Sequence, residues 1–275
     1  LHQGGFTAVI RIESVVLCFA MMARTTQKDC KMGQYSSITR TGKHEPFGLH
    51  VKRGYVQGHE HVHKFGFNTS VTTSATLIWN GGGDYTYPTS AAQLGVVGTS
   101  TTDNSQITVE GLDADYNEVS NIVTLNGTTT VTTSASYIRS YRAFVSDDNE
   151  PAGDVTIRHS GDTVAIISAE ENQTLMATYT VPAGYTAYLY QLVFGGAAEV
   201  ANKFMTVRLR ARVPGGVFRT QAKYTTAAQT FEEVMEFPLK FEEKTDIEVT
   251  AQASSQVQQA SAMFDLLLIK NESQT

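Results

Sequence analysis

The residues with the clearest chemical potential form a run of histidines. Gly58-His-Glu-His-Val-His-Lys-Phe-Gly-Phe-Asn68 alternates residue by residue. Read as a strand, it places His59, His61, His63, Phe65 and Phe67 on one face, because successive side chains point to opposite sides. Imidazoles at i and i+2 on a strand can converge on a transition metal. In a trimer, one such histidine per chain near the axis could complete an octahedral site. No cysteine and no obvious further ligand accompanies the run. The expectation is therefore metal-free histidines, exposed at a polar strand end beside a buried Phe pair or clustered at an interface, and no cofactor.

A second alternation follows at Met205–Val213. Val207, Leu209, Ala211 and Val213 face one way, and Arg208, Arg210 and Arg212 the other. The arginines have two possible uses. They can match acidic residues across a ladder, the glutamates near Phe231–Glu236 or Asp246 and Glu248, where an opposite-charge pair contributes roughly 0.2–1 kcal/mol. Alternatively they form a docking face for an acidic partner surface or an anionic sugar. The cross-strand use is preferred, since exposed ion pairs are common and weak.

Other suggestive patterns are incomplete. Asp113-Ala-Asp115-Tyr-Asn117 opens like a calcium loop, but Glu118 stands where the loop needs glycine and Thr124 where it needs an acid. A turn held by Asp and Asn side chains fits better. Asn80-Gly-Gly-Gly-Asp84 lacks the Lys-Ser/Thr of a P-loop. No serine stands in a nucleophile elbow. Glu232-Glu233 and Glu242-Glu243 read as solvated charge at strand ends. These readings point away from an enzyme.

The elements that must position these residues are strands. Only 17% of the 275 residues are charged, and Thr, Ser, Gly and Tyr are abundant, the usage of an all-β protein with many turns. The net charge of −6 gives no reason to expect nucleic acid. Both cysteines, Cys18 and Cys30, lie near the N-terminus, which excludes a disulfide framework in the folded part. Phe6–Met22 is apolar but interrupted by Arg11 and Glu13, so no membrane insertion is expected. This stretch reads as lying upstream of the true start, with Met21, Met22 and Met32 as candidate starts. Gly33–Lys52 reads as a linker or arm.

From residue 58 onward, strand candidates follow at short spacing: Ala75–Trp79, Gln106–Gly111, Val119–Leu125, Thr128–Thr132, Ser136–Val145, Asp154–Arg158 and Thr163–Ser168. Asn126-Gly127 between two β runs predicts a hairpin. Gln173–Phe194 predicts two strands around Pro182-Ala-Gly184. In the second of these, Tyr188, Leu192 and Phe194 share one face, and Ala187, Leu189 and Val193 the other. Met263–Ile269 is also apolar on both faces. Such strands sit centrally or at a subunit interface, so Tyr188, Tyr190, Leu192, Phe194, Leu266 and Leu268 are candidate interface residues. With Met205–Val213, Val217–Tyr224, Phe231–Phe237, Thr245–Ala251 and Ser261–Ile269, seven strands follow residue 169, one short of a jelly roll. The expected organisation is a poorly structured segment over 1–57 and two antiparallel β-sandwich modules, 58–168 and 169–275, the second jelly-roll-like.

Several motifs together resemble a known family. They are Trp79-Asn-Gly-Gly-Gly-Asp-Tyr-Thr-Tyr-Pro88, Val109-Glu-Gly-Leu-Asp-Ala-Asp-Tyr-Asn-Glu-Val119, Val123-Thr-Leu-Asn-Gly127, Ser136-Tyr-Ile-Arg139, Glu171-Asn-Gln-Thr-Leu-Met176 and Val181-Pro-Ala-Gly184. The resemblance is to virion structural proteins of tailed bacteriophages, common in marine phages, and it covers about Gly58–Lys270. It implies a virion component without enzymatic activity or cofactor: a capsid decoration, head fibre or tail-associated subunit. A homo-oligomer, a trimer, docked on phage capsid or tail proteins is the expected assembly. A carbohydrate-binding tail adhesin that recognises host surface glycans is the alternative.

Overall fold

The computed structural model describes residues 45–197, 203–227, 229–255 and 258–272. The chain divides into two compact units, Leu1–Gln57 and Gly58–Thr275. The described part of the first holds one short helix, α1 (Phe47–Lys52), within the stretch expected to be an arm. Pro46 precedes it, and Arg53 closes it, donating its N–H to the Leu49 carbonyl at 3.0 Å. The apolar Phe6–Met22, both cysteines and the candidate starts lie outside the described residues. Among the described residues no helix is long and apolar enough to cross a membrane.

The second unit is all-β. Its strands are β1 (His59–Val71), β2 (Thr76–Leu77), β3 (Ala92–Gly98), β4 (Gln106–Leu112), β5 (Glu118–Thr124), β6 (Val131–Tyr137), β7 (Arg139–Val145), β8 (Val155–His159) and β9 (Asp162–Ile167). Then come β10 (Thr178–Thr180), β11 (Tyr185–Ala197), β12 (Met205–Arg212), β13 (Arg219–Thr226), β14 (Thr230–Phe241), β15 (Asp246–Ala253) and β16 (Gln258–Lys270). One sheet has the order β1-β16-β11-β14, and the sheet facing it β10-β15-β12-β13, with β2 also on β15. Counted in chain order from β1 as first and β10 as second, these orders read 1-8-3-6 and 2-7-4-5. That is a jelly roll. The strand missing from the sequence count is β1, the histidine run, which pairs antiparallel with β16 from His59↔Ile269 to Val71↔Gln258.

The module boundary expected at 168/169 therefore moves. β1 and β2 belong to the jelly roll, and a second sandwich is inserted in its first connection. The inserted sandwich packs a four-stranded sheet, β6-β3-β8-β9, on a three-stranded one, β5-β4-β7. Leu94, Val96, Ile107, Val109, Ile157 and Ile167 fill its core, and Trp79 is buried with them. Two expected hairpins are instead corners between sheets. The Asn126-Gly127 turn is tight, with the Thr129 N–H on the Asn126 carbonyl at 2.9 Å, but β5 and β6 on either side lie in different sheets. The Pro182–Gly184 turn likewise carries the chain from β10 in one jelly-roll sheet to β11 in the other. Ser136–Val145, expected as one strand, breaks at Ile138 and changes sheet there.

A β-bulge corrects the reading of β11. Its pairing with β16 shifts register between Leu189 and Gln191, leaving Tyr190 as the extra residue, and at the same point four residues of β14, 235–238, lie opposite Tyr190. An extra residue reverses the parity of the side chains beyond it. Ala187, Leu189, Leu192 and Phe194 consequently all face the jelly-roll core, each at most 1% exposed. The strand is not apolar on both faces; its apolar residues keep one face across a bulge. Leu192, Phe194, Leu266 and Leu268 are thus covered within the chain itself rather than by another subunit. Tyr188 is half-buried on the outer face, and Tyr190 is exposed.

The chain leaves and re-enters the jelly roll along one line. β2 and β10 both lie along β15. The Val249 carbonyl accepts the Ile78 N–H at 3.0 Å, and the Val249 N–H donates to the Ala177 carbonyl at 3.0 Å. Alternation divides the side chains: Ile78 and Ala177 enter the jelly-roll core, while Leu77, Trp79 and Met176 enter the inserted one. β1 passes beneath this stalk at Gly66. A Cβ there would lie 2.2 Å from the Ile78 oxygen and 2.4 Å from the Ala177 nitrogen. Both are backbone atoms, so nothing flexible can yield.

Beside it, Lys64 is buried with its Nζ donating to the Tyr141 carbonyl of the insertion. Burial, aided by nearby Arg142 and opposed by Glu110, lowers its pKa to about 7. A lysine held low in the fold opposes folding while it is charged. Below about pH 7 both states carry the proton and the cost is constant; above it, the unfolded chain holds more protons, so stability rises with pH toward the unfolded value.

Two outcomes follow. Gly66→Ala should cost about 3 kcal/mol, read as a melting temperature lowered by roughly 6–12 °C, while Gly215→Asn, at an open turn with φ +71°, should melt with the wild type. Equal melting of all three would refute the close approach. Chemical denaturation between about pH 7 and about pH 9.5 should show wild-type stability rising relative to Lys64→Met; parallel profiles would show that Lys64 is not a buried titrating charge.

Candidate functional site

β15 begins Asp246-Ile-Glu-Val, and alternation sends Ile247 and Val249 into the jelly-roll core. Asp246 and Glu248 must then point outward, yet each residue is only 3% exposed, because the insertion lies over them. Buried carboxylates require full hydrogen bonding. Asp246 receives it from three sides. Arg139 of the insertion donates Nε to Oδ1 at 2.8 Å and Nη2 to Oδ2 at 2.9 Å. Thr180 donates to Oδ1 at 2.6 Å, and Arg212 donates Nε to Oδ2 at 2.9 Å. Arg139 spends its Nη1 on the carbonyls of Pro88 and Ile138, both at 2.7 Å. Burial opposes the charge on Arg139, but the bonds and charge of Asp246 outweigh it and raise its pKa.

Glu248 is held in parallel. Its Oε1 accepts Arg210 Nε at 2.8 Å and also Arg210 Nη2, and its Oε2 accepts the Tyr87 hydroxyl at 2.7 Å. Cross-strand register puts Arg210 opposite Glu248 and Arg212 opposite Asp246. These two arginines are therefore engaged within the chain. Arg208 lies opposite Thr250 and donates to the Gln252 side chain at 2.9 Å. It takes no part in the cluster.

Above Glu248 the loop 81–88 and the β12–β13 hairpin leave a cleft of about 300 Å³, lined by Asp84, Tyr85, Tyr87, Phe218, Arg210 and Arg212 together with Glu248. The Arg212 guanidinium lies 4.5 Å from the Tyr87 ring centre and 4.6 Å from that of Phe218. Arg210 lies 5.2 Å from Phe218. Burial pushes the phenols of Tyr85 and Tyr87 well above their ordinary values, and for Tyr87 the Glu248 charge adds to this. Both hydroxyls stay protonated at any physiological pH.

The histidines lie elsewhere, on the outer face of the β1-β16 pair. His61 Nε2 and His63 Nδ1 both donate to Asp265 Oδ1, at 2.9 and 2.8 Å. Burial works against the Asp265 charge, but the two imidazole bonds outweigh it and hold the carboxyl below its ordinary pKa. Asp265 is the partner that the sequence did not offer, since it stands on a strand some 200 positions away, opposite His63. Among the described residues no set of three or more His, Cys, Asp or Glu side chains has the geometry to hold a metal ion. In the calcium-like loop, Asp113 Oδ1 accepts the backbone N–H groups of Asp115 and Asn117, both at 2.9 Å.

A ridge of exposed side chains, Val234 and Phe237 among exposed charges, marks the jelly roll's edge strand β14. Between Leu239 and Val234 its pairing with β11 slips, opposite the Tyr190 bulge. Pro238, which has no N–H to donate, sits in the slipped stretch of an edge strand, where no ladder bond is lost. Phe237 there is 84% exposed, Val234 68% and Tyr190 41%.

No protein-family model matches the chain, and no curated protein matches it significantly. Among solved structures, particles of infectious bursal disease virus align with it at low similarity. The Gx strain structure is 11% identical over 77% of this chain and 72% of that chain, with a TM-score of 0.22. The Gt strain structure is 10% identical over 83% of each chain, with a TM-score of 0.16. The VP2 subviral particle is 8% identical over 79% of this chain and 78% of that one, with a TM-score of 0.17. These scores lie below those of shared folds, and the jelly roll stands on the strand order of the chain itself.

Proposed function

We propose that the chain is a non-enzymatic structural subunit of a virus particle, of the tailed-bacteriophage kind that its motifs resemble. Its residence would be the virion, as a capsid decoration, head fibre or tail-associated subunit. The observation that carries this reading is the exposed ridge of Tyr190, Val234 and Phe237 on an unpaired edge strand. Large exposed apolar side chains on an edge strand mark a surface that another chain covers. Closed symmetry covers such a surface by repeating one contact, and a homotrimer docked on capsid or tail proteins is the assembly we propose. Support also comes from the architecture. A jelly roll with a second sandwich fixed on its stalk is a two-tier body, suited to bearing load in one tier and presenting surface with the other. Viral coat domains and lectins are both built on jelly rolls, so the fold alone does not choose between them; the ridge favours assembly.

The test is mass measurement in solution of the wild type and of Phe237→Asp. Because Phe237 is so exposed, the variant should fold and melt normally but run at protomer mass, while the wild type runs as a closed oligomer. A wild type that is monomeric at high concentration, or a variant that assembles unchanged, would overturn the ridge as the assembly surface. Antibody labelling of purified particles would then locate the subunit on or off the virion.

A further inference from the structure

We infer that the knob of the ridge, Phe237, seats in a cavity of a second copy of this chain, between the tip of the β12–β13 hairpin and the end of β14. The inference rests on the assembly reading above and names the surface that the ridge meets. The cavity holds about 200 Å³; Ala211 and Phe241, both 5% exposed, form its floor, and Val213 and Val217 flank it. The Pro214-Gly-Gly216 turn fixes the two valines. The Gly216 N–H donates to the Val213 carbonyl at 2.9 Å, and Gly215 supplies the positive φ of +71°. Val213 is 56% exposed and Val217 73%. Apolar side chains left open around an apolar hollow are stabilised when a partner's apolar side chain displaces water from them.

Size selects the occupant. A cavity of about 150 Å³ accepts a benzene ring, so this one has room for a phenyl group. Phe237 is the most exposed large hydrophobic side chain among the described residues, at 84%. It does not line the cavity of its own chain. An aromatic anchor entering an apolar pocket is the arrangement that carries most of the binding energy at protein interfaces.

Charge agrees with size. Of the cations at the cavity, Arg212 is bonded to Asp246 at 2.9 Å and Lys240 to Glu242 at 2.8 Å. Arg219 is exposed and meets no carboxylate among the described residues. Around the knob the sign is opposite: Glu232 and Glu236 are exposed, and no cation precedes Lys240 on β14. An acid-flanked knob and a cation at the rim are complementary, whereas a contact of ridge on ridge would set the glutamates of both copies together. Knob and cavity are also different patches. The contact is therefore heterologous and repeats around a ring, as a homotrimer requires.

Two measurements on the full chain test this. The first is the solution mass of Val217→Asp. That side chain is exposed, so the variant should melt with the wild type but run at protomer mass. The second replaces Phe237 by p-azidophenylalanine, which keeps the ring and becomes reactive on illumination. Light should join two chains, and mass spectrometry of the digest should place the adduct within 211–221 of the second chain. If Phe237→Asp runs as a protomer while Val217→Asp assembles like the wild type, the cavity is overturned and the ridge reading stands. An adduct on β14 of the second chain, or none between chains of an assembled protein, would likewise overturn the cavity alone. A wild type that is monomeric at high concentration would end the ridge reading and this inference with it.

Discussion

A carboxylate cannot be buried cheaply, and Asp246 is buried where two β-sandwiches meet. Every other feature of the junction answers to that constraint. Arg139 reaches from the inserted sandwich and spends donors on both oxygens, while Arg212 and Thr180 of the jelly roll complete the shell. Removing one member of such a set leaves an uncompensated charge, at a cost of about 3–5 kcal/mol. The same register repeats two residues on, with Glu248, Arg210 and Tyr87. Polar residues at an interface between two apolar cores add little net stability, but they fix one orientation. An apolar contact of the same size would tolerate sliding, and this one does not.

The stalk makes that orientation possible. Both connections to the insertion run along β15, and Val249 hydrogen-bonds to each through its own N–H and carbonyl. Gly66 lets β1 pass under them at backbone contact distance. The arrangement explains why a chain with two separate cores behaves as one compact unit from residue 58 onward. It also shapes the cleft, whose Tyr85 and Tyr87 come from the insertion's first loop and whose arginines and Phe218 come from the jelly roll.

How far the sequence foretold this depends on the range of the interaction. Alternation in Met205–Val213 named the inward residues of β12 and the outward arginines, and the acids at 246 and 248 were among their foreseen partners. Short turns were also legible, at Asn126-Gly127 and at Pro182-Ala-Gly184. What a turn cannot say is whether the strands beside it share a sheet, and at Asn126 and Pro182 they do not. β3 was invisible: Ala92–Gly98 holds two glycines and lies close to the Gly-rich loop. β11 was misread because a bulge at Tyr190 shifts parity without any residue type that signals it. The largest gap was long-range. Nothing in the histidine run indicates that its partner is β16 or that Asp265 joins His61 and His63, because pairing between distant strands leaves no local trace. Arg139 and Tyr87 as members of the site were hidden for the same reason.

The central claim is that the buried Arg139–Asp246 pairing locks the inserted sandwich onto the jelly roll as one cooperative body. Hydrogen–deuterium exchange of the wild type and of Arg139→Met tests it directly. In the wild type, backbone amides of β3–β9 and of β10–β16 should exchange through a common opening, with matched protection in both cores. In the variant, protection across β3–β9 should fall while that of the jelly-roll strands is largely kept, as the insertion opens on its own. Independent exchange of the two sandwiches already in the wild type, or equal protection in both proteins, would contradict the account.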